Sequence, residues 1–505
     1  MSEQLAPIPF VVAVAILAWN IFLAGWIASR HEVPRPFAQL TGFCGLLVAP
    51  ALVVAVATGT DAGSRTVSGI AWLLPLVACA FVLQVLYAIA ARLVSVVIGI
   101  PILLYDLAIA AVAIGDYLVG AHGSAPIGLQ AAVAARDAVI GMTIGRAALL
   151  TPLALLVPMI APAYPARWRL SAVARAAFVL TATVTTTLLV MEWPRGIGAV
   201  RSYARALGEP MQARPAGDFL IGMRLFPALD GPPPARAIIA DGAMAERFAP
   251  DVVLIVLNDE GTRGTSLDSL ARVLEPLRND SVRIAIAMTV ANAAAAPTDA
   301  AHLAMIERVL VRVRPDVLFP AMMDPVPMVF SRATLPPIWW ETTLESAARV
   351  VRRVRPRTLV GWAAARFDAT DSAVYAWSAR SASPIDVIGA VSYPSFSGLP
   401  AVDARLRALE RWHALATSTA GATQAHWLVN VGGLPHAHGD DGQLAAIRHA
   451  LAWGSRHAWI RAAIIGEAAD YDNWLGLRAA SGRLRSGFIP LADAAKAMRE
   501  VRVER

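Results

Sequence analysis

The chain has 505 residues, of which 57% are hydrophobic and 16% charged, where an ordinary soluble domain has about a quarter of its residues charged. Charged residues are sparse up to Glu192 and frequent after Arg201, so the composition excludes one uniform soluble globule and divides the chain into a lipid-soluble part and a water-soluble part. The net charge of +7 is carried almost wholly by arginine, with Lys496 the one lysine; no basic run is interleaved with aromatics, which argues against a nucleic-acid partner.

A bilayer core takes about 20 apolar residues in helix. Runs of that kind occur at Phe10–Ala28, Gln39–Ala57, Ile70–Ala91, Val94–Val119, Ala147–Ala161 and Ala172–Met191. The first has no basic residues before it and no small-residue cleavage site after it, so it reads as a retained helix. The stretch Ile127–Gly145 carries Arg136 and Asp137 in its middle and reads as a re-entrant or interfacial helix. Residues 1–191 are therefore expected to form an all-α polytopic membrane domain of about six spans. Cys44 and Cys79 both fall inside it, which leaves no disulfide frame and no C-x-x-C zinc spacing in the rest.

Orientation follows from arginines in short loops. Arg30 and Arg35 follow the first span, Arg92 separates the third and fourth, and Arg167, Arg169 and Arg175 separate the fifth and sixth. Those loops alternate and are expected in the cytoplasm. Six spans then put the N-terminus and everything after Met191 outside, as expected of a bacterial inner (cytoplasmic) membrane protein whose C-terminal domain is periplasmic or extracellular. Asp106 and Asp116 lie within the fourth span. Acids at that depth are functional candidates; the blander reading puts Asp116 at the interface and pairs Asp106 with a helix neighbour or Arg92.

Residues 192–216 include Pro194, Pro210 and Pro215 and read as a linker, with one helix around Ala199–Leu207. From 217 to 505 the pattern changes. Eight apolar, β-branched runs are strand candidates: Phe219–Phe226, Val252–Leu257, Val282–Met288, Val317–Ala321, Thr358–Ala363, Val387–Val391, Trp427–Val431 and Ile460–Ile465. Helical stretches such as Thr265–Leu277, Ala300–Val313, Thr342–Val354, Ala401–Leu415 and Asp441–Ser455 separate them. Strict alternation over eight units implies a parallel sheet closed into a (β/α)8 TIM barrel; an open doubly wound sheet is the competitor, and it lacks a glycine-rich phosphate loop after the first strand.

Active sites of such barrels lie at the C-terminal ends of the strands. Those ends offer Arg224, then Asn258-Asp259-Glu260, Met323-Asp324-Pro325, Trp362 with Arg366, Ser392-Tyr393-Pro394, Asn430-Val431-Gly432-Gly433, and Gly466-Glu467 followed by Asp470 to Trp474. Acids and amides that take hydroxyls, with aromatics that stack on pyranose faces, suit a sugar. Asp324 and Glu467 are the candidate catalytic acids; Arg224, Asp259, Glu260, Trp362, Tyr393, Asn430 and Trp474 are the candidate binding residues. Each also has a structural reading: Asp324 as a turn cap, Glu467 paired with Arg461 or Arg478, Arg224 paired with Glu260, and Asn430 as a loop brace. His436 and His438, near Asp440 and Asp441, read as solvated histidines rather than a metal site.

The segments Asp386–Phe396 and Trp427–Pro435, with Asp470-Tyr471 through Leu475-Gly476-Leu477 to Gly482-Arg483-Leu484, resemble the (β/α)8 glycoside hydrolases that carry catalytic glutamates on strands 4 and 7. The resemblance implies two carboxyl groups flanking a glycosidic bond, one protonating the leaving oxygen and one attacking carbon or activating water. The strand-4 glutamate position holds Asp324, and the strand-7 nucleophile position holds Asn430, which cannot act as that nucleophile. Three readings stay open: a degenerate barrel that binds a cell-envelope or exported polysaccharide, an active glycosidase with relocated acids, and a structural subunit of a membrane protein complex. None of them implies a cofactor.

Overall fold

The computed structural model describes residues 16, 18–20, 22, 72–122, 125–143, 159, 169–212, 214–215, 218–258, 266–289, 300–322, 335–365, 367, 369–392, 400–420, 423–433, 435–471, 475–479 and 481–500. The span expected at Gln39–Ala57, all of Ala147–Ala161 but Met159, and most of Phe10–Ala28 lie outside these residues. The chain separates into two compact units whose boundary in sequence falls between Ser202 and Tyr203.

In the first unit, α1 (Leu73–Ala90), α2 (Val96–His122), α3 (Ile127–Thr143) and the start of α4 (Arg169–Leu207) are described. Three segments, Leu73–Ala90, Val96–Leu118 and Ala176–Leu207, are long and apolar enough to cross a membrane. They match three of the six expected spans. α4 does not stop at Met191 but continues through Pro194 to Leu207, taking in the short helix expected at Ala199–Leu207.

α3 packs closely between α2 and α4 because two glycines remove the side chain that would keep the backbones apart. A Cβ on Gly115 would lie 2.8 Å from the Leu129 carbonyl oxygen, and one on Gly196 would lie 2.6 Å from that of Ala131. The charge that marked α3 as a poor span has a partner, since Arg136 is buried and ion-paired with Asp116 of α2. Asp106 is buried too, and its Oδ1 accepts the Met159 backbone N–H at 2.7 Å. Asp106 does not meet a helix neighbour or Arg92 in this contact: its partner there is a distant backbone amide, while Asp116 takes the arginine of the next helix.

The second unit contains the expected barrel. Strands β1 (Leu220–Arg224), β2 (Val252–Leu257), β3 (Arg283–Thr289), β4 (Val317–Met322), β5 (Leu359–Ala364), β6 (Val387–Val391), β7 (Ala425–Val431) and β8 (Ile460–Ile465) are parallel and close on themselves, β8 pairing back to β1. Helices α5 (Ala235–Phe248), α6 (Ser266–Asn279), α7 (Ala300–Arg312), α8 (Pro337–Val354), α9 (Ala369–Ser378), α10 (Pro400–Ala420) and α11 (Pro435–Arg456) alternate with them. After β8 come a short parallel pair, β9 (Glu467–Ala469) with β10 (Gly476–Arg478), and α12 (Phe488–Glu500).

The two-residue period of a strand sorts side chains between lumen and helix layer. Leu220, Val252, Leu254, Phe319, Ala363, Val387, Trp427, Val429 and Ile464 share the lumen cluster. Ile221, Met223, Val253, Leu318, Val360, Trp362 and Leu428 belong to the cluster that packs on the helices. The two large lumen rings, Phe319 and Trp427, meet edge-on with centroids 6.3 Å apart. Room for them comes from Gly361, where a Cβ would lie 2.5 Å from Phe319 Cε1.

One device recurs at the N-terminal ends of the strands. Asp251, just before β2, donates its N–H to the Ile221 carbonyl at 2.8 Å and accepts the Ile221 N–H on Oδ2 at 2.8 Å. Asp316 before β4 does the same to Ile284, and Asp386 before β6 does the same to Val360. Each carboxylate completes a ladder that the backbone alone would leave one bond short. This explains the Pro-Asp and Pro-Ile-Asp punctuation seen in the sequence before these strands.

Candidate functional site

Alternation along β1 puts Leu220 and Gly222 in the lumen, and so puts Arg224 on the lumen side at the C-terminal end of the strand. Its guanidinium Nη1 lies 3.2 Å from Oε1 of Glu467, the second residue after β8, and the two side chains are 2% and 0% exposed. The pair bridges the seam where the first and last strands meet. Neither arginine expected to hold Glu467 does so: Arg461 pairs with Asp218, and Arg478 with Asp241 at 2.7 Å.

Asn430 reaches the same end by a different route. The β7–β8 register runs Leu428 to Ala463 and then Val431 to Ile465, so Val429 and Asn430 together oppose Ile464. That is a bulge, which leaves the extra residue on the face of its neighbour. Val429 and Ile464 are lumen residues, so Asn430 joins them. Its φ of 57° is left-handed, a conformation that asparagine tolerates better than most side chains. Gly466 donates its N–H to the Val431 carbonyl at 2.7 Å, which places Asn430 and Glu467 one residue to either side of that bond. The Asn430 side chain is fully buried, and neither Nδ2 nor Oδ1 has a hydrogen-bond partner among the described residues.

The segment carrying Glu467 is held by groups the sequence analysis did not select. Asp241 of α5 is buried and accepts the Phe226 N–H at 2.8 Å, the Tyr471 hydroxyl at 2.8 Å and the Arg478 guanidinium at 2.7 Å. Burial pushes its carboxyl above the ordinary range, opposed by those three donors. Gln443 Nε2 donates to the carbonyls of Leu475 and Gly476, and Arg485 Nε donates to that of Gly476. Asp470 accepts the Gly476 N–H at 3.1 Å and pairs with Arg485. Asp241 was legible as an anomaly: it falls in register with Ala237, Met244, Ala245 and Phe248 on the buried face of α5, where a lone acid needs donors.

Across the rim, Asn258 after β2 donates through Nδ2 to Asp230 at 2.7 Å and accepts the Thr289 hydroxyl from the end of β3. Trp362 stands elsewhere. It is 1% exposed and packed in the helix layer outside the sheet, because Leu359 and Gly361 take the inward positions of β5. The large lumen indole is Trp427. Asp259, Glu260, Asp324, Arg366, Tyr393 and Trp474 lie outside the described residues, as do the side chains of His436 and His438. Among the described residues no group of three or more His, Cys, Asp or Glu side chains is placed to hold a metal ion.

Four acids at this end of the barrel thus have assigned partners: Glu467 with Arg224, Asp241 with Tyr471 and Arg478, Asp470 with Arg485, and Asp230 with Asn258. The strand-7 position supplies a neutral carboxamide that can donate and accept at once.

No family model matches the chain, and no curated protein matches it. Solved structures that match include an exo-β-1,4-mannosidase from Opitutaceae bacterium strain TAV5, at 16% identity and a TM-score of 0.39, covering 56% of this chain and 60% of that one. A β-glucuronidase from an uncultured Clostridium sp. matches at 9% identity and a TM-score of 0.40, covering 57% and 53%. A β-glucuronidase from Ruminococcus gnavus, solved with D-glucuronic acid, matches at 9% and 0.39, covering 56% and 52%. The chain therefore spans between 52 and 60% of the length of these proteins. The barrel assignment rests on the strand register described above, and these likenesses add nothing to it.

Proposed function

We propose that this protein is a membrane-anchored barrel that binds a saccharide at the C-terminal ends of its strands without cleaving it. The observation that carries the reading is the pairing of Glu467 with Arg224 at 3.2 Å beside a strand-7 asparagine. Glycoside hydrolysis needs two carboxyl groups that can exchange protons or attack carbon. Glu467 is ion-paired with Arg224, and Asn430, at the strand-7 position, has neither acid nor nucleophilic chemistry. A buried carboxamide without partners costs about 1–3 kcal/mol, and a sugar hydroxyl, which donates and accepts, satisfies both of its ends. The ligand class is a cell-envelope or exported polysaccharide, met on the outer side of a bacterial cytoplasmic membrane; the alternating arginine loops support that side.

A second reading, a structural subunit of a membrane complex, is favoured by the full burial of Asn430 and Glu467. Titrating the full chain in detergent with neutral and acidic oligosaccharides, while assaying reducing ends, separates the readings. Saturable binding with no reducing ends is expected. Release of reducing ends that Asp324→Asn abolishes would make the protein a glycosidase. Absence of binding, with a membrane protein co-purifying stably, would make it a subunit.

A further inference from the structure

We infer that Asp106 is a cation site in the apolar helical unit, where the carboxyl takes up one positive charge from water, as a proton or as an alkali-metal ion. The site is separate from the barrel and does not depend on what the barrel binds.

Asp106 lies near the middle of Val96–Leu118, a segment long and apolar enough to cross a membrane. Its side chain is fully buried. Oδ1 accepts the Met159 N–H at 2.7 Å, and Oδ2 is out of water and without a partner among the described residues. Ile102, Ile109 and Ala110, on the same face of α2, belong to an apolar cluster with Val85 of α1, Ala135 of α3, Leu189 of α4 and Met159. An ionised carboxylate in such surroundings needs a counter-charge. Arg136 of α3 meets Asp116, and Arg195 of α4 meets Glu192; no described cation meets Asp106, and Tyr105, its buried neighbour in α2, brings no positive charge. A single acid balances a single charge, whereas a divalent ion takes six or more oxygens.

Met159 supplies a second observation. It falls inside the apolar run Ala147–Ala161 and directly after Pro158, yet it is not helical, and it is fully buried. Backbone that leaves the helix at membrane depth must be satisfied by protein or by water, and breaks of this kind stand beside ion sites in transporters. The Met159 N–H goes to Asp106 Oδ1, which leaves Oδ2 as the position open to an incoming charge. Gln84 Nε2 of α1 and Thr186 Oγ1 of α4 are likewise out of water and without partners among the described residues. Polar atoms left without partners in an apolar bundle are costly, and an ion or proton with its water offers them one.

The experiment treats the full chain in detergent at about pH 7 with dicyclohexylcarbodiimide, an apolar reagent that adds to a protonated carboxyl and not to an ion-paired carboxylate, and maps the adduct by peptide mass spectrometry. Asp106 is expected to be labelled at least about tenfold faster than Asp116. Repeating the reaction in sodium, potassium and choline chloride names the cation: protection by one alkali salt assigns that ion, and equal rates in all three assign the proton. Asp106→Asn keeps the side-chain shape and the acceptor for Met159, and is expected to melt within a few degrees of the native protein. Asp116→Asn, which breaks the pair with Arg136, is expected to melt lower. No label on Asp106 anywhere between about pH 5 and pH 9 would overturn the inference, and so would a fall in melting temperature for Asp106→Asn as large as that for Asp116→Asn. The labelling stands as a test even where a variant does not fold.

Discussion

Arg224 Nη1 and Glu467 Oε1 lie 3.2 Å apart across the seam of the barrel, joining the first strand to the segment that follows the last. Both side chains are removed from water, so the pair balances a large desolvation cost against its mutual attraction and any further hydrogen bonds. Removing one partner leaves the other as a buried charge. Arg224→Met and Glu467→Leu are each expected to lower stability by about 3–5 kcal/mol. Replacing the pair with Met and Leu should cost far less than either single change. Thermal denaturation of the four proteins as a double-mutant cycle checks this; single costs that simply add would show that the two groups do not interact.

Asn430 separates backbone from side chain. Its left-handed φ of 57° suits glycine well and a β-branched residue badly. Asn430→Gly is expected to keep the melting temperature within a few degrees and to lose saccharide binding about tenfold or more. Asn430→Val should lower the melting temperature outright. A glycine variant that binds as the native protein does would remove the carboxamide from the site.

The Asp device at the strand starts is expected to be worth about 1–2 kcal/mol at each position. Asp386 is the most informative, because it accepts the Val360 N–H at 2.8 Å and takes both contacts from Arg352 Nη2, at 2.8 and 2.7 Å. Asp386→Ala should lower the urea midpoint, and Asp386→Asn should recover part of the loss through the remaining acceptor. Equal stabilities of all three proteins would show the ladder complete without the carboxylate.

At the opposite end from the candidate site, His413 stacks on Trp459 at 4.0 Å and His426 meets the same indole edge-on at 4.9 Å. His426 Nδ1 donates to the Gln424 carbonyl at 3.0 Å, so Nε2 accepts from the Tyr375 hydroxyl at 2.8 Å. Burial, together with the neighbouring His413 and against the Gln424 bond, pushes His426 down to about 3. Burial, with His457 nearby, lowers His413 too. The His426 ring is neutral in the fold above about 3, whereas in the unfolded chain it takes up a proton below about pH 6.5. The contribution of His426 is therefore complete above that pH and declines as pH falls toward 3, and the lowered His413 acts in the same direction. Stability measured at pH 7 and 4.5 should differ by about 2 kcal/mol more in the native protein than in His426→Phe. Equal slopes would contradict the assignment.

Much of this fold was legible because strands and helices have different periods. Val252–Leu257, Val387–Val391 and Ile460–Ile465 are apolar runs bounded by proline or polar punctuation, and each is a strand with those same limits. What periodicity does not carry is the phase of a side chain relative to the lumen. Trp362 and Trp427 look alike in sequence, yet the first packs outward and the second inward, a difference set by where each strand begins. The bulge at Asn430 depends on slippage against β8, which leaves no trace in β7 alone. Partner choice was hidden for the same reason: Glu467 has arginines near it in sequence, and the one that pairs with it lies 243 positions earlier, brought there only by closure of the barrel.

Whether the barrel holds a sugar intact is tested most directly by one time course: full-length protein in detergent with a reducing-end-blocked neutral oligosaccharide, sampled for bound ligand and for new reducing termini. The account predicts a constant, saturable bound fraction and no new termini over many hours. Steady loss of bound ligand matched by rising termini would contradict it.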